Sequence, residues 1–430
     1  MIAVSVVEAD VQFTARSFSK PLRLSSGLIT DLVESTATVR VRSASGHEAT
    51  GVGNILLSDL WAWPDPTQPH ALREEQMRRY SGQLAAELRE RCGNREAHPL
   101  LLGIHLHESL HADAGMPVLA RSVCASPFDA ALHDATGKLA KASAFDLYEG
   151  DANEPVVDRW FPSTGAFRAI RDVLRPANNV FDAWYVVGAS DDLDDVVREW
   201  RERRGYRAFK IKTLGKDAVA DAKMTVAIHR HLAPYGNQPV RLSIDSNEAN
   251  PDASSVSDYL AKVRDLDADA YRAIEYLEQP THRDIQARPQ TWHEVSKQKP
   301  VMLDEGLSGM ELLPVAIAQG WSGLALKTCK GHSFNLLAAA WGHAHGLRLS
   351  VQDLTNPGHS FLHSALLASR VPSINGAELN SVQFMPQANR DWTTRFPGLF
   401  DPLNGAHQIP DAPVIGLHLQ PNSPHVVSLF

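Results

Sequence analysis

Cysteine is scarce in this 430-residue chain: Cys92, Cys124 and Cys329 are all it holds. Three is an odd number, and their spacing matches no paired metal-ligand motif. A disulfide framework is therefore not expected, and a reducing compartment is. Positive charge is short as well. Lys and Arg number 42 against 50 Asp and Glu, a net charge of −8, and no Lys/Arg run breaks the pattern. Nucleic-acid and anionic-membrane surfaces need basic patches, so neither is an expected partner. Long apolar runs are also missing. None reaches the roughly 18 residues of a membrane span. The apolar run at the N-terminus ends within seven residues and has no basic segment before it, unlike a secretory signal. The expected location is the cytoplasm.

What remains is an ordinary globular composition, 43% hydrophobic and 21% charged, in a chain long enough for two domains or for one barrel with additions. Residues 1 to about 57 read as β. Met1 to Phe13 alternates partly and Glu34 to Ser43 alternates well, as half-buried antiparallel strands do. Ser19 to Ile29, with Pro21, Gly27 and several serines, reads as a loop. Ser45-Gly46 and then Gly51-Val-Gly53 punctuate a turn into a strand ending near Leu57. Ala71 to Arg91 is helical by composition, and Ser126 to Lys138 reads as a helix with Pro127 in its first turn.

His107-Glu108-Ser109-Leu110-His111 matches the zinc-protease pattern HExxH, in which two histidines on one helical face bind the metal and the glutamate is the base. Gly103 before it and Gly115 and Pro117 after it leave little helix, and a plain polar segment is the preferred reading.

From Phe209 to Glu378 the chain becomes regular. Six apolar runs finish on ionisable groups: Lys212, Asp245, Glu278, Asp304, Lys327 and Asp353, and a seventh finishes on Glu378. The intervals between them are 33, 33, 26, 23, 26 and 25 residues, about what a strand, loop and helix require. With Ala183 to Gly188 in front, there are eight strands. Expected helices between them are Asp192–Arg203, Ala218–Leu232, Ser254–Leu266, Asp284–Lys297, Gly309–Ala318, Ser333–His345 and His359–Ser369. This predicts an α/β barrel, whose strand ends converge on one mouth. A further strand is expected at Pro413 to Leu419.

Asp245, Glu278 and Asp304 fall on consecutive strands, and three neighbouring carboxylates repel unless something neutralises them. A hard divalent cation with oxygen ligands would do so, and Mg²⁺ suits a few carboxylates plus water and substrate. Lys212 and Lys327 fall four strands apart, on opposite sides of the mouth. A carboxylate substrate held at the metal would have one lysine on each face of its α-carbon, and the cation would stabilise the enediolate left when the α-proton departs. A base lysine needs a lowered pKa, which Lys210, Lys330 and the metal are expected to provide.

These residues carry a resemblance. Lys210-Ile-Lys212, Asp245-Ser-Asn247, Glu278-Gln279-Pro280, Asp304-Glu305 and Lys327-Thr-Cys-Lys330-Gly331 resemble the motifs of the enolase superfamily, in its mandelate racemase/muconate lactonizing enzyme group. The Ala131 to Lys138 segment and the Gly51-Val-Gly53 turn resemble that family's N-terminal domain. The resemblance implies an α+β capping domain (1–150), a modified (β/α)7β barrel (151–379) and a C-terminal segment (380–430) returning to the cap. It implies that Asp245, Glu278 and Asp304 bind one Mg²⁺, and that Lys212 and Lys327, with Lys210 beside them, form the catalytic set. Isomerase or lyase chemistry on a small-molecule carboxylate and a homo-oligomer are implied too. The Lys–Lys pair is similar to the muconate-cycloisomerase branch. Strand 7 offers Gln352-Asp353 where the mandelate-racemase branch has a histidine. Strand 8 offers Glu378-Leu379-Asn380 where dipeptide epimerases have Asp-x-Asp.

Asn247, Glu305, Lys330, Asp353 and Glu378 are candidate substrate contacts, as are Arg23, Trp61 and Trp63 of the capping loops Ser19–Ile29 and Leu56–Trp63. The readings from other classes are a barrel that only binds a ligand, and the zinc protease at His107 and His111.

Overall fold

A computed structural model describes residues 2–24, 27–188 and 190–420. Three antiparallel strands open the fold, β1 (Val4–Leu24), β2 (Gly27–Ser43) and β3 (Glu48–Leu56), paired in that order. The loop expected at residues 19–29 is thus strand where it is described, the end of β1 and the start of β2, and residues 25 and 26 of it lie outside the described residues. Pro21 is tolerated because β1 is an edge strand, and a register shift between Ser17 and Leu22 takes it out of the ladder.

Four helices follow: α1 (Asp59–Ala62), α2 (His70–Arg91), α3 (Pro99–Ser109) and α4 (Val118–Ala140). Pro127 lies inside α4 and not in its first turn. The ring removes the N–H that would reach Val123 O, and Ser126 Oγ donates to that carbonyl instead, at 2.9 Å. The expected turn falls at Ser45 and Gly46, between β2 and β3, while Gly51 and Gly53 are in mid-strand, opposite Val39 and Ala37. Their role is clearance. A Cβ on Gly51 would stand 2.0 Å from Ala131 O, and one on Gly53 2.2 Å from Pro127 O, so only glycine lets β3 lie against α4.

The second sheet is parallel: β5 (Trp184–Gly188), β6 (Ala208–Lys212), β7 (Arg241–Asp245), β8 (Ile274–Glu278), β9 (Val301–Leu303), β10 (Gly323–Lys327) and β11 (Arg348–Gln352), each beside the next. The eighth position is filled by irregular chain that bridges both edges, Gln352 to Glu378 on one side and Ala183 to Ala377 on the other. The result is an α/β barrel of the (β/α)7β kind with an α+β cap. Trp184, Ala208, Tyr276 and Met302 form one buried cluster of the barrel strands.

The helix expected over 284–297 shrinks to His293–Ser296, because Pro289 interrupts the segment. The helix expected over 192–203 is three α residues followed by a π-helix, Val196–Arg203. After the barrel, β12 (Ala406–Gln408) pairs with β4 (Val180–Asp182), and β13 (Val414–Ile415) pairs with β14 (His418–Leu419). This last hairpin is tied to α4 by Asp134, which accepts from Leu417 N at 3.0 Å and from Val52 N of β3 at 2.9 Å.

Candidate active site

Register puts the chemistry in one row. Lys212 pairs with Asp245 and Asp245 with Glu278 across β6, β7 and β8, while Lys327 sits at the end of β10 and Asp304 just past β9. Alternation along β6 then puts Lys210 on the same face as Lys212. Asp245, Glu278, Asp304, Lys210 and Lys327 are all buried, and Lys212 is half-buried.

The ammonium groups are distributed among the acids. Lys210 Nζ lies 2.7 Å from Glu278 Oε1, 3.0 Å from Asp245 Oδ2 and 3.1 Å from Glu378 Oε2. Lys212 Nζ donates to Asp245 Oδ2 at 2.6 Å and to Asn247 Oδ1 at 2.9 Å. Lys327 Nζ donates to Asp304 Oδ2 at 2.6 Å and stands 4.8 Å from the centre of the Trp61 ring. The second oxygen of Glu278 accepts from Gln352 Nε2.

Burial alone would lower the Lys327 pKa, but the negative charges of Asp304 and Glu278 outweigh it and the net direction is upward. Lys210 moves the same way, its burial outweighed by Glu278, Glu378 and Asp245. For Lys327 the expected lowering therefore does not hold with these partners, since each carboxylate stabilises the ammonium. Lys330 moves the other way, chiefly through burial.

Most of these groups open on one small cavity of about 40 Å³, lined by Lys210, Lys212, Lys327, Asn247, Asp353, Glu378 and Trp61 among others. Asp353 accepts from Thr355 N at 2.8 Å and from Asn380 N at 3.3 Å through Oδ1. Its Oδ2 has no protein partner, and burial pushes its pKa up to about 7. Lys330 and Glu305 stand outside the lining. Lys330 donates to Asp304 O at 2.7 Å, to Asp304 Oδ1 at 3.1 Å and to Ala325 O at 3.0 Å, which holds the Asp304 turn in place. Glu305 accepts from Asn247 Nδ2 at 3.2 Å, and burial beside Asp304 pushes its pKa up to about 8.

The capping loop is held from both sides. Asp59 of α1 accepts from Arg73 Nε at 2.8 Å, and the Trp61 and Ala62 carbonyls accept from Arg283 at 2.9 and 3.3 Å. Trp63 is buried away from the cavity. Arg23 is exposed, on the strand face opposite Leu22 and Leu24, which do line the cavity. Sequence reasoning also missed Phe18, Ile29, Val186, Leu354 and Phe384. The period-two alternation at Leu22-Arg23-Leu24 was the available signal.

Four of the strand-end residues around the mouth, Asn247, Glu248, Gln279 and Thr355, have positive φ of 44°, 69°, 31° and 66°. Such backbone costs energy in non-glycine residues and tends to concentrate at sites of function. The zinc-protease reading fails. His107 is half-buried and stacked on Phe334 at 4.8 Å, α3 ends at Ser109, and Glu108 pairs with Arg159.

Three buried carboxylates on neighbouring strands are the oxygen-only donor set that suits Mg²⁺. Lys210 and Lys327 hold them in this geometry, and among the described residues no three His, Cys, Asp or Glu groups surround a common point. By donor chemistry the set fits the ion. A bound cation would take over contacts that the ammonium groups now make.

A parallel barrel with lysines and acids at its mouth, roofed by an antiparallel sheet, defines an enolase-type architecture. Residues 192–423 match the model of the enolase C-terminal domain-like family, and the chain belongs to it. Among curated proteins, none matches the chain in sequence. Solved structures with a similar fold include a muconate lactonizing enzyme from Pseudomonas fluorescens complexed with muconolactone (18% identity, 97% of each chain, TM-score 0.62). A 2-chloromuconate cycloisomerase from Rhodococcus opacus 1CP is also similar (17%, 97% of each, 0.65). So is a dipeptide epimerase from Enterococcus faecalis V583 complexed with Mg and a dipeptide (15%, 96% of this chain and 99% of that one, 0.63).

Proposed function

We propose that this protein is a Mg²⁺-dependent isomerase or lyase that removes the proton α to a substrate carboxylate. The observation that carries the reading is the pair Lys212 and Lys327. They stand on strands four apart, each in contact with a candidate metal-ligand acid, and both line one cavity. Asp245, Glu278 and Asp304 would hold the ion. When bound, Mg²⁺ supplies positive charge to the substrate carboxylate and so favours the electron-rich form left by deprotonation. One lysine Nζ, in its neutral form, takes the α-proton. The opposite lysine delivers a proton to the other face, or assists a departing group. Lys210 lends positive charge from the buried side, and Trp61 excludes water above Lys327. The structural neighbours named above, which include a cycloisomerase and an epimerase complexed with Mg, are consistent with this class of chemistry.

Incubation of a panel of carboxylates in D₂O with Mg²⁺ should show α-deuterium incorporation. Lys212→Ala and Lys327→Ala should each reduce it by about 10²–10⁴-fold, the usual range for a general acid or base. Absence of exchange with every acid, or full exchange in both variants, would sink the proposal.

A further inference from the structure

The cavity has two chemically opposed parts. One is the lysine–carboxylate cluster. The other is a continuous apolar wall in which Phe18, Leu22, Leu24 and Ile29 of the β1–β2 hairpin pack with Val186 and Phe384. No arginine and no histidine lines the cavity among the described residues. Its three lysines are each engaged: Lys210 with Glu278, Lys212 with Asp245 and Lys327 with Asp304. The two cations that the hairpin carries next to the wall are turned elsewhere. Arg23 is exposed on the opposite strand face, and Lys20 is held by Asp191 at 2.5 Å and by the Tyr185 hydroxyl at 3.2 Å.

A second substrate carboxylate at the wall would lose its water and find no cation there. An ammonium would find no acid at the wall, because Asp353 and Glu378 belong to the other part. A polyhydroxy chain would exchange water for hydrocarbon and leave its hydroxyls unpaired. A hydrocarbon group gains there what every other candidate loses. The free space in both parts together is small, about 40 Å³. That restricts the hydrocarbon to a short chain or a single ring.

We propose that the substrate is a monocarboxylate whose non-reacting part is alkyl or aryl hydrocarbon seated on the Phe18–Leu22–Leu24–Ile29 wall. The proposal rests on the proton-abstraction reading for the orientation of the carboxylate, and it adds the class of the remainder.

Calorimetric titration of the full chain with Mg²⁺ present tests it. The probes are hexanoate and 2-phenylpropanoate against adipate, 2-(4-carboxyphenyl)propanoate and gluconate. The apolar monoacids should bind about 100-fold more tightly than their diacid partners and than gluconate, with a negative heat-capacity change. In Leu22→Arg, with Leu24→Gln as a milder second variant, the margin over the diacids should shrink at least tenfold. Equal or tighter binding of a diacid or of gluconate overturns the proposal, and so does failure of both monoacids to bind. Deuterium exchange separates the two readings. Tight apolar binding without exchange in any acid removes the proposed reaction and keeps the apolar subsite. Exchange confined to diacids or polyhydroxy acids removes the subsite and keeps the reaction.

Discussion

At the mouth of the barrel, lysines and acids are buried in contact with one another. At the seam between α4 and the barrel helix His332–Ala344, the buried titratable groups are mainly histidines. His332 Nδ1 meets His363 Nε2 at 2.9 Å, the His133 and His332 rings lie 4.3 Å apart, and His133 Nε2 stands 2.8 Å from Ser333 Oγ. The two regions solve the same desolvation problem in opposite ways. At the mouth burial is countered by opposite charge, so Lys210 keeps its proton. At the seam burial is answered by loss of charge. The imidazoles are held neutral, with His363 pushed down to about 3, and even Asp129 is pushed up by burial to about 6 despite its bonds to Ser333. Buried charge is kept where chemistry needs it and removed where only packing is at stake.

The hardest test of that contrast is to break a charge set at the mouth. Lys210→Met leaves Glu278, Asp245 and Glu378 facing one another without their shared cation. In metal-free protein this should cost about 3–5 kcal/mol, the usual effect of removing one partner from a buried ion pair. Added Mg²⁺ should restore part of it. Urea denaturation with and without Mg²⁺ reads both effects. A loss below about 1 kcal/mol would mean the acids are not held as charges.

Acid should distinguish the seam and the other buried histidines from the mouth. Burial pushes His98, His107 and His407 down to about 4, and His359 and His363 to about 3. An unfolded histidine takes its proton near pH 6.5, whereas these cannot until pH falls a further two units or more. Their contribution is therefore complete above about pH 6.5 and declines as pH falls toward 4, each group adding a slope of about 1.4 kcal/mol per pH unit. The raised carboxyls Glu278 and Asp353, both at about 7, act with the opposite sign, favouring the fold as pH falls from 7 toward the unfolded value near 4. The difference between wild type and His407→Phe cancels that mouth contribution. The variant should lose about one group's slope between pH 6.5 and 4 in denaturation midpoints, and an unchanged slope would show that His407 titrates freely.

The mouth was far more legible in the sequence than the seam or the cavity wall. A charge closing a short apolar run every 23 to 33 residues is a local pattern, and a parallel barrel converts it directly into neighbours. His332 and His363 carry no such signal, because what brings them together is the packing of two barrel helices. The wall was misread for another reason. Proline and serines made residues 19–29 resemble a loop, yet an edge strand tolerates Pro21 where a central one would not. Pro127 was misplaced because Ser126 replaces the missing helix bond, and that replacement shows only in three dimensions. The sign of the Lys327 shift also depended on which acids touch its Nζ.

A smaller effect is expected at Trp61, where cap meets mouth. Its ring lies over Lys327, and its indole N–H is buried without a protein partner. Trp61→Leu removes a cation–π contact of about 0.5–2 kcal/mol. Substrate binding by calorimetry should weaken by roughly 3- to 30-fold, since each 1.4 kcal/mol is a factor of ten. Affinity unchanged in Trp61→Leu would place the indole outside the site's energetics.

The smallest effect should come from Arg23, and it tests the alternation on which the assignment of the wall depends. Along β1 the side chains of Leu22 and Leu24 face the cavity while that of Arg23 faces solvent. A one-residue change of register would exchange them, because the side-chain period of a strand is two. Arg23→Ala should then leave KM within about twofold, as expected for a surface position away from special features. A large rise in KM confined to substrates with a second carboxylate would show that Arg23 reaches inward. In that event the apolar wall would have a cation at its edge, and the contrast between the two parts of the cavity would fail at that point.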